Sequence, residues 1–482
     1  METKLAGKKV LVMGLGRFGG GVDAARFAAG AGAHVLVTDR AGPEQLQESV
    51  EQLADLADVE FRLGVHDPHD FATADVVIAN PAVPPDNEFL RIARQNGRTI
   101  TSPMGLFFEA CPAPIVGVTG ANGKSTTVSL AAHLLENARS QGTEGVGCVS
   151  RTIRSSHGEE DGAWYAPYEE VWLSGNIGDK PLLTILDRIG PRDVVVLEIS
   201  SFQIEQLAWT RRGPHVALLT NLTPNHLDRY GTFEAYCAAK EHLFRYQPVV
   251  VGKPAVSLFN AEDEVGRAWF EKYRCEDGRV CRLFSADEVS EDVRAAYPLP
   301  GRANLSNLAA ARAIARCFGV SDEAICKCLP EFRGLPHRLE LVGEANGVRW
   351  YNDSKATTPE GAMVALAAFD GPRILIAGGY DKQTAFDALG RQIATGVKAA
   401  ILIGQTAQKI ALAIQDAETG DAAVDVRLVG SLAEAVDLAE RLAAPGDVVL
   451  LSPACASYDM FENYQQRGLQ FVDLVRGRVR QL

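Results

Sequence analysis

The sequence predicts an α/β protein of three consecutive domains, and three observations carry the prediction. A chain of 482 residues exceeds one core of ordinary size, and roughly 150 residues per domain gives about three. Short apolar runs alternate with helical patterns from end to end, the rhythm of β-α-β units around parallel sheets. Two glycine turns, "GLGRFG" at 14–19 and "GANGKS" at 120–125, each lie between a strand pattern and a helix pattern.

Residues 1–103 open on "KVLVMGLG", continue through a helix from Ala24 to Ala29 and the run "HVLVTD", and reach "ADVVIANP". Residues 104–334 start from the strand "PIVGVTG" and the helix "KSTTVSLAAHLLENA", then carry "VVVLEISS", "VALLTNLT" and a helical stretch from Phe233 to Tyr246. Residues 335–482 repeat the rhythm through "VRWYNDS", "RILIAGG", "AAILIG" and "DVVLLSP". Two segments fall outside it. Residues 139–170 are polar, glycine-rich and without a period, as a surface insertion is. Residues 252–300 are mixed, and their topology does not follow from the pattern.

Hydrophobic content of 46% and charged content of 23% are those of a soluble globular protein. A net charge of -13 argues against a general nucleic-acid or anionic-membrane binder, so an anionic ligand needs a local positive site. No apolar run approaches the ~20 residues of a membrane span. The lysines and apolar run at the N-terminus end in Gly14, Gly16 and Arg17, which suits a first strand better than a signal peptide. Nine scattered cysteines without metal spacing suit a reducing compartment. The expected location is the cytoplasm.

The first glycine turn, Gly14-x-Gly16-x-x-Gly19 with Asp39 ending the next strand, has the form of a dinucleotide fingerprint, which makes a nicotinamide dehydrogenase one reading. The same turn holds any pyrophosphate at a helix N-terminus, and it also serves as a plain tight turn. The second turn resembles the phosphate loop G-x-x-x-x-G-K-[ST], except that Val118 stands where that pattern has glycine. Its chemistry still fits. Backbone N–H groups and a helix N-terminus would face an anion, with Lys124 as a point charge and Ser125 or Thr126 placed for Mg²⁺. Glu198 closes the "VVVLE" run, where a carboxylate can meet a cation. His226 follows another strand and reads as a cap, a packed polar residue or a ligand. Lys240 lies on the next helix and reads by itself as a surface lysine.

In order along the chain, "GVTGANGKST", "SGNIGDKPLL", "LEISSFQIE", "NHLDRYGTFEAYCAAK", "GRANLSNLAAA", "GLPHRLE", "NDSKATTPE", "AGGYDK" and "LSPACASYDMF" resemble the Mur ligases. The nearest branch joins D-glutamate to UDP-N-acetylmuramoyl-L-alanine. The resemblance implies a Rossmann-like N-terminal domain for the UDP substrate (1–103), a P-loop-type central ATPase domain with a mostly parallel sheet (104–334), and a Rossmann-like C-terminal domain for the amino acid (335–482). It implies ATP bound by Gly120, Asn122, Gly123, Lys124, Ser125 and Thr126, with Asn304, Asn307, His337, Arg338, Asp353 and Lys355 around adenine and phosphates. One Mg²⁺ would lie on Thr126 and Glu198, a second between His226 and Lys240. An ammonium cannot ligate a cation, and the family's solution is a CO2-derived carbamate on that lysine. Lys124, His226 and Lys240 are the catalytic residues it implies.

For the UDP substrate the resemblance points to Gly14, Gly16, Arg17, Phe18, Asp39, Arg40, Asn80, Asn176 and Ser200. For D-glutamate it points to Thr357, Lys382, Ser457, Tyr458 and Tyr464. From the residues alone, Ser457 and Tyr464 also fit as cap and packing of a helix starting near Asp459. The implied reaction forms an acyl phosphate and ADP, then an amide, in peptidoglycan precursor synthesis by a cytoplasmic monomer with no nucleic-acid partner. "NPAV" at 80–83 replaces a common Ser-Pro-Gly form, and Thr358 stands where asparagine is usual. Competing readings are a related ligase with another acceptor, including the folate-extending type, the dehydrogenase, and a non-catalytic nucleotide sensor.

Overall fold

The computed structural model describes residues 5–17, 19–140, 164–165, 167–177, 182–248, 253–418 and 424–479. Among them are three sheets in chain order. The first holds β1 (Lys9–Met13), β2 (His34–Asp39), β3 (Val59–Leu63), β4 (Val76–Ala79) and β5 (Thr99–Thr101), ordered β3-β2-β1-β4-β5 and parallel throughout. The second holds β6 (Ile115–Thr119), β7 (Val171–Gly175), β8 (Val194–Glu198), β9 (Val216–Leu219), β10 (Ala255–Asn260) and β11 (Arg279–Phe284), ordered β11-β10-β9-β6-β8-β7, again all parallel. Residues 252–300, unassigned from pattern, thus extend this sheet with two strands.

The third sheet holds β12 (Glu340–Ala345), β13 (Val348–Asn352), β14 (Arg373–Gly378), β15 (Ala399–Ile403), β16 (Asp425–Leu428) and β17 (Val448–Leu451), ordered β12-β13-β17-β14-β15-β16. Its edge strand β12 runs antiparallel to β13, a departure from the parallel rhythm of the sequence. β6, β8, β9, β15 and β17 are buried at every position, as strands covered on both faces must be, and their sequences are apolar except for Thr119 and Glu198 at the ends of β6 and β8.

By contacts the chain divides into two compact units, 1–293 with 307–329 and 294–306 with 330–482. The first unit contains two sheets, and a buried carboxylate ties them. Asp23, on the helix Gly20–Gly30, accepts hydrogen bonds from the amides of Leu182, Leu183 and Thr184 and from the Thr184 hydroxyl at 2.7–3.1 Å. Gln206, fully buried, donates to the carbonyls of Asn80 and Val83. Nothing in the spacing of the sequence announces either tie.

Candidate active site

In parallel sheets the loops that carry ligands leave the C-terminal ends of strands. After β1, Gly14 has φ 92, and a Cβ there would lie 2.9 Å from the Asn80 Cβ, so glycine is required. Asn80, after β4, donates to the Gly14 carbonyl and accepts from the Ala82 amide. Asp39, the last residue of β2, accepts from the Gly16 and Ala41 amides. Both side chains, expected at the substrate, thus shape the turn. Arg17 is exposed, and Arg40 is exposed and pairs with Glu88 at 3.3 Å. Phe18 lies outside the described residues.

After β6 the chain enters the second turn and the helix Lys124–Ser140. Val118 is a fully buried residue of β6, which explains why an apolar residue stands in the place of the pattern's glycine. Gly120 takes φ 151, and a Cβ there would fall 1.9 Å from Thr220 Oγ1; at Gly123, φ 83, it would fall 2.2 Å from Asn307 Oδ1. The loop after β9 supports the turn from below. Asn221 accepts from the Ala121 amide through its carbonyl and from the Asn122 amide through Oδ1, and Thr220 Oγ1 donates to the Asn122 carbonyl at 2.6 Å. Lys124 Nζ donates to the Gly120 and Ala121 carbonyls at 3.0 Å each. Ser125 and Thr126, both buried, start the helix beside it.

Lys240 is not a surface lysine. It is 1% exposed, and its Nζ donates to Thr119 Oγ1 at 2.9 Å and to the Gly120 carbonyl at 3.1 Å, so it reaches the same turn as Lys124. Burial, and then the nearby Lys124, hold its ammonium well below the ordinary lysine range, against the opposing pull of Glu198. Glu198, at the end of β8 and 3% exposed, accepts from Asn176 Nδ2 at 3.1 Å through Oε1, while its buried Oε2 has no hydrogen-bond partner among the described residues. An orphaned buried carboxylate oxygen is costly unless something binds it, and a divalent cation fits. Gly175, φ 95, permits the close approach: a Cβ there would sit 2.3 Å from the Glu198 carbonyl, which accepts from the Asn176 amide.

His226 takes the left-handed conformation, φ 53, before the short helix Leu227–Tyr230, but its side chain makes no capping bond. Its ring lies 5.0 Å from Phe202 and 6.3 Å from Tyr236, centroid to centroid. Burial lowers its pKa, which favours the neutral imidazole a metal needs. Ser200, assigned to substrate by resemblance, forms a capping box with Gln203 at the start of the helix Ser201–Thr210, so its hydroxyl has a structural task. Among the described residues no group of three or more His, Cys, Asp or Glu gathers as a metal cluster. The donors present, one hydroxyl and one carboxylate beside a phosphate loop, suit Mg²⁺, which keeps waters and takes its other oxygens from phosphate.

In the second unit, Asn304 is buried and donates to the Pro300 carbonyl. His337, φ 63, meets Asn352 Nδ2 through Nδ1 at 2.9 Å, and burial lowers its pKa. Arg338 is half-buried beside it. Asp353, after β13, accepts from the Leu339 amide and, at 2.8 Å, from Ser452 Oγ. Burial nonetheless pushes its carboxyl up to about 7. A carboxyl whose folded pKa exceeds its unfolded value of about 3.9 binds more protons when folded. Its contribution to stability is full below about pH 4 and lost as pH rises to about 7. We therefore expect the urea midpoint of wild type to fall relative to Asp353→Asn between those pH values and to hold level above them; a pH-independent difference would overturn the assignment.

The loops after β13, β14, β15 and β17 are cross-linked. Tyr380, after β14, pairs with Ala456, after β17, and Gly379 exchanges hydrogen bonds with Thr406 after β15. Thr357 is half-buried, Lys382 exposed, Ser457 buried and Tyr458 67% exposed. The final helix begins at Tyr464, not near Asp459, so Ser457 does not cap it. The Tyr464 ring lies 5.3 Å from Lys355 Nζ. Beneath these loops lies a residue that the sequence reading passed over, Arg467, 1% exposed, which spans the Ser354 and Cys455–Ala456 segments.

Family models match three stretches: the Mur ligase MurD-like N-terminal domain over 8–102, the Mur ligase middle domain over 118–297, and the Mur ligase glutamate ligase domain over 337–455. A UDP-N-acetylmuramoylalanine--D-glutamate ligase of Roseiflexus sp. (strain RS-1) is 41% identical, covering 98% of this chain and 99% of its own. A ligase of the same name from Symbiobacterium thermophilum is 36% identical over 93% and 94%. Among solved structures, MurF from Acinetobacter baumannii has a TM-score of 0.54 at 15% identity, covering 97% of this chain and 91% of that one, a likeness of fold. These matches leave the dehydrogenase reading without support. With models over most of its length and relatives above 30% identity from end to end, the chain belongs to the Mur ligase family.

Proposed function

We propose that this protein joins D-glutamate to the alanyl carboxylate of UDP-N-acetylmuramoyl-L-alanine with conversion of ATP to ADP and phosphate, a cytoplasmic step of peptidoglycan precursor synthesis. The observation that carries the chemistry is the orphaned Glu198 oxygen in a unit that also holds the phosphate loop and its two lysines. The acceptor is argued from the curated relatives, which bear the name of D-glutamate ligase. We assign residues 1–103 to the UDP substrate, 104–334 to ATP and 335–482 to the amino acid.

Lys124 and the amides of the turn bind the transferred phosphoryl group and offset the charge that develops on it. Thr126 and Glu198 hold one Mg²⁺, and His226 with carbamylated Lys240 a second. The bound ions supply charge neutralisation between two anionic reactants. The lysine is suited to its modification: a neutral Nζ attacks the carbon of CO2, an N–C bond forms, a proton leaves, and an anionic carbamate remains. Burial favours that neutral amine. The alanyl carboxylate takes the γ-phosphoryl group to give an acyl phosphate, and the D-glutamate amine then displaces phosphate. In the second unit, Lys382 and the hydroxyls of Thr357, Ser457 and Tyr464 suit the two carboxylates of the acceptor. Among the described residues no helix is long and apolar enough to cross a membrane, and the working form is taken as a monomer.

Phosphate release with ATP, Mg²⁺ and UDP-N-acetylmuramoyl-L-alanine tests the reading, comparing D-glutamate with L-glutamate, L-alanine and no amino acid. Release with D-glutamate alone is expected. Release with another amino acid would keep the phosphate chemistry and reassign the acceptor; none with any would overturn the proposal.

A further inference from the structure

We propose that Arg467 is a positioning residue for the amino-acid acceptor, holding the loops after β13 and β17 in the register that presents Thr357 and Ser457 to a dicarboxylate. The inference rests on the acceptor reading above. Arg467 lies in the helix Tyr464–Val479 and is the largest fully buried side chain of the described core. Its Nε donates to Ser354 Oγ at 2.9 Å and one terminal nitrogen to the Ser354 carbonyl at 2.8 Å. The other donates to the carbonyls of Cys455 at 3.1 Å and Ala456 at 3.4 Å. One planar fork thus joins two loops that are 113 and about a dozen residues away along the chain, a geometry that lysine cannot reproduce.

The partner set is unusual. Every acceptor is neutral, and among the described residues no carboxylate lies within ion-pair distance, although a buried guanidinium ordinarily takes one. Burial pulls its pKa down to about 10, with Cys455 and Asp459 opposing, so the charge persists at neutral pH. Four acceptors, one hydroxyl and three carbonyls, turn inward toward this cation. A buried positive charge behind such loops favours an anionic ligand in front of them. Ser354 Oγ continues the chain of contacts, donating to the Tyr464 carbonyl at the start of the helix. The Gly379 backbone closes against the same fork: a Cβ there would come 3.3 Å from an Arg467 terminal nitrogen and 2.3 Å from the Ala456 carbonyl.

The test is steady-state phosphate release by the full chain, with D-glutamate, ATP and UDP-N-acetylmuramoyl-L-alanine varied in turn, for wild type, Arg467→Met and Arg467→Lys. Arg467→Met is expected to raise the KM for D-glutamate about tenfold or more, with the KM for ATP changed less than about twofold. Arg467→Lys, which keeps charge but not the fork, is expected to fall between the two. An unchanged KM for D-glutamate, or equal rises for ATP and D-glutamate, would overturn the role. Should Arg467→Met fail to fold, Ser354→Ala decides: it removes one acceptor of the fork and should raise the D-glutamate KM alone, and no change would overturn the proposal. Wild type that releases no phosphate with D-glutamate overturns the acceptor reading itself, and this inference with it.

Discussion

Lys124→Ala is expected to lower turnover by about a hundredfold or more, the usual loss when one preorganised charge at a phosphoryl-transfer site is removed. The structure argues that the loss falls on chemistry and not on folding. The turn owes its shape to Gly120 and Gly123, whose neighbours Thr220 and Asn307 leave no room for a Cβ, and to Asn221 beneath it. The lysine donates to the Gly120 and Ala121 carbonyls at 3.0 Å each, and releasing them leaves those glycine and asparagine contacts in place. Phosphate release at saturating substrates reads the rate, and thermal unfolding serves as the control. A near-wild-type rate would sink the assignment of this turn to ATP.

The second large effect is at Lys240. Lys240→Arg keeps a cation on the helix Phe233–Arg245 but cannot form a carbamate, and a guanidinium stays charged where burial favours a neutral group. Turnover should fall by about a hundredfold or more, comparable to the loss of other preorganised groups. Protein equilibrated with ¹³C-bicarbonate should show one carbamate carbonyl signal that is absent from the variant. A variant of undiminished activity, or wild type with no such signal, would remove the modified lysine from the mechanism and leave Lys240 as a buried donor to Thr119 and Gly120.

Much of the site was legible in the chain because its chemistry is local. A strand, a glycine turn and a helix within 115–140 make the turn proposed for phosphate, since backbone amides and a helix N-terminus are consequences of consecutive residues. Glu198 was legible for a related reason: "VVVLE" is an apolar run that ends on a carboxylate, and the strand end is where that carboxylate emerges. The antiparallel edge β12 was not legible, because "ELVGEA" has the composition of a loop as much as of an edge strand. The helix after Ser457 was misplaced by several residues, since "ASYDMFENY" offers several polar residues able to start it.

The sequence by itself determined the α/β class, the order of the motifs, the family and the position of the second glycine turn, all of which follow from periodicity and from residues adjacent in the chain. Only the tertiary structure decided that Lys240 is buried beside Lys124, that Asp39, Asn80 and Ser200 are engaged in shaping backbone, and that Asp23 and Arg467 each cross to distant segments. Burial and long-range hydrogen bonds depend on which surfaces meet when the sheets are covered. That meeting sets desolvation, and with it the charge state of a lysine or the pairing of an arginine, and no local pattern in the chain encodes it.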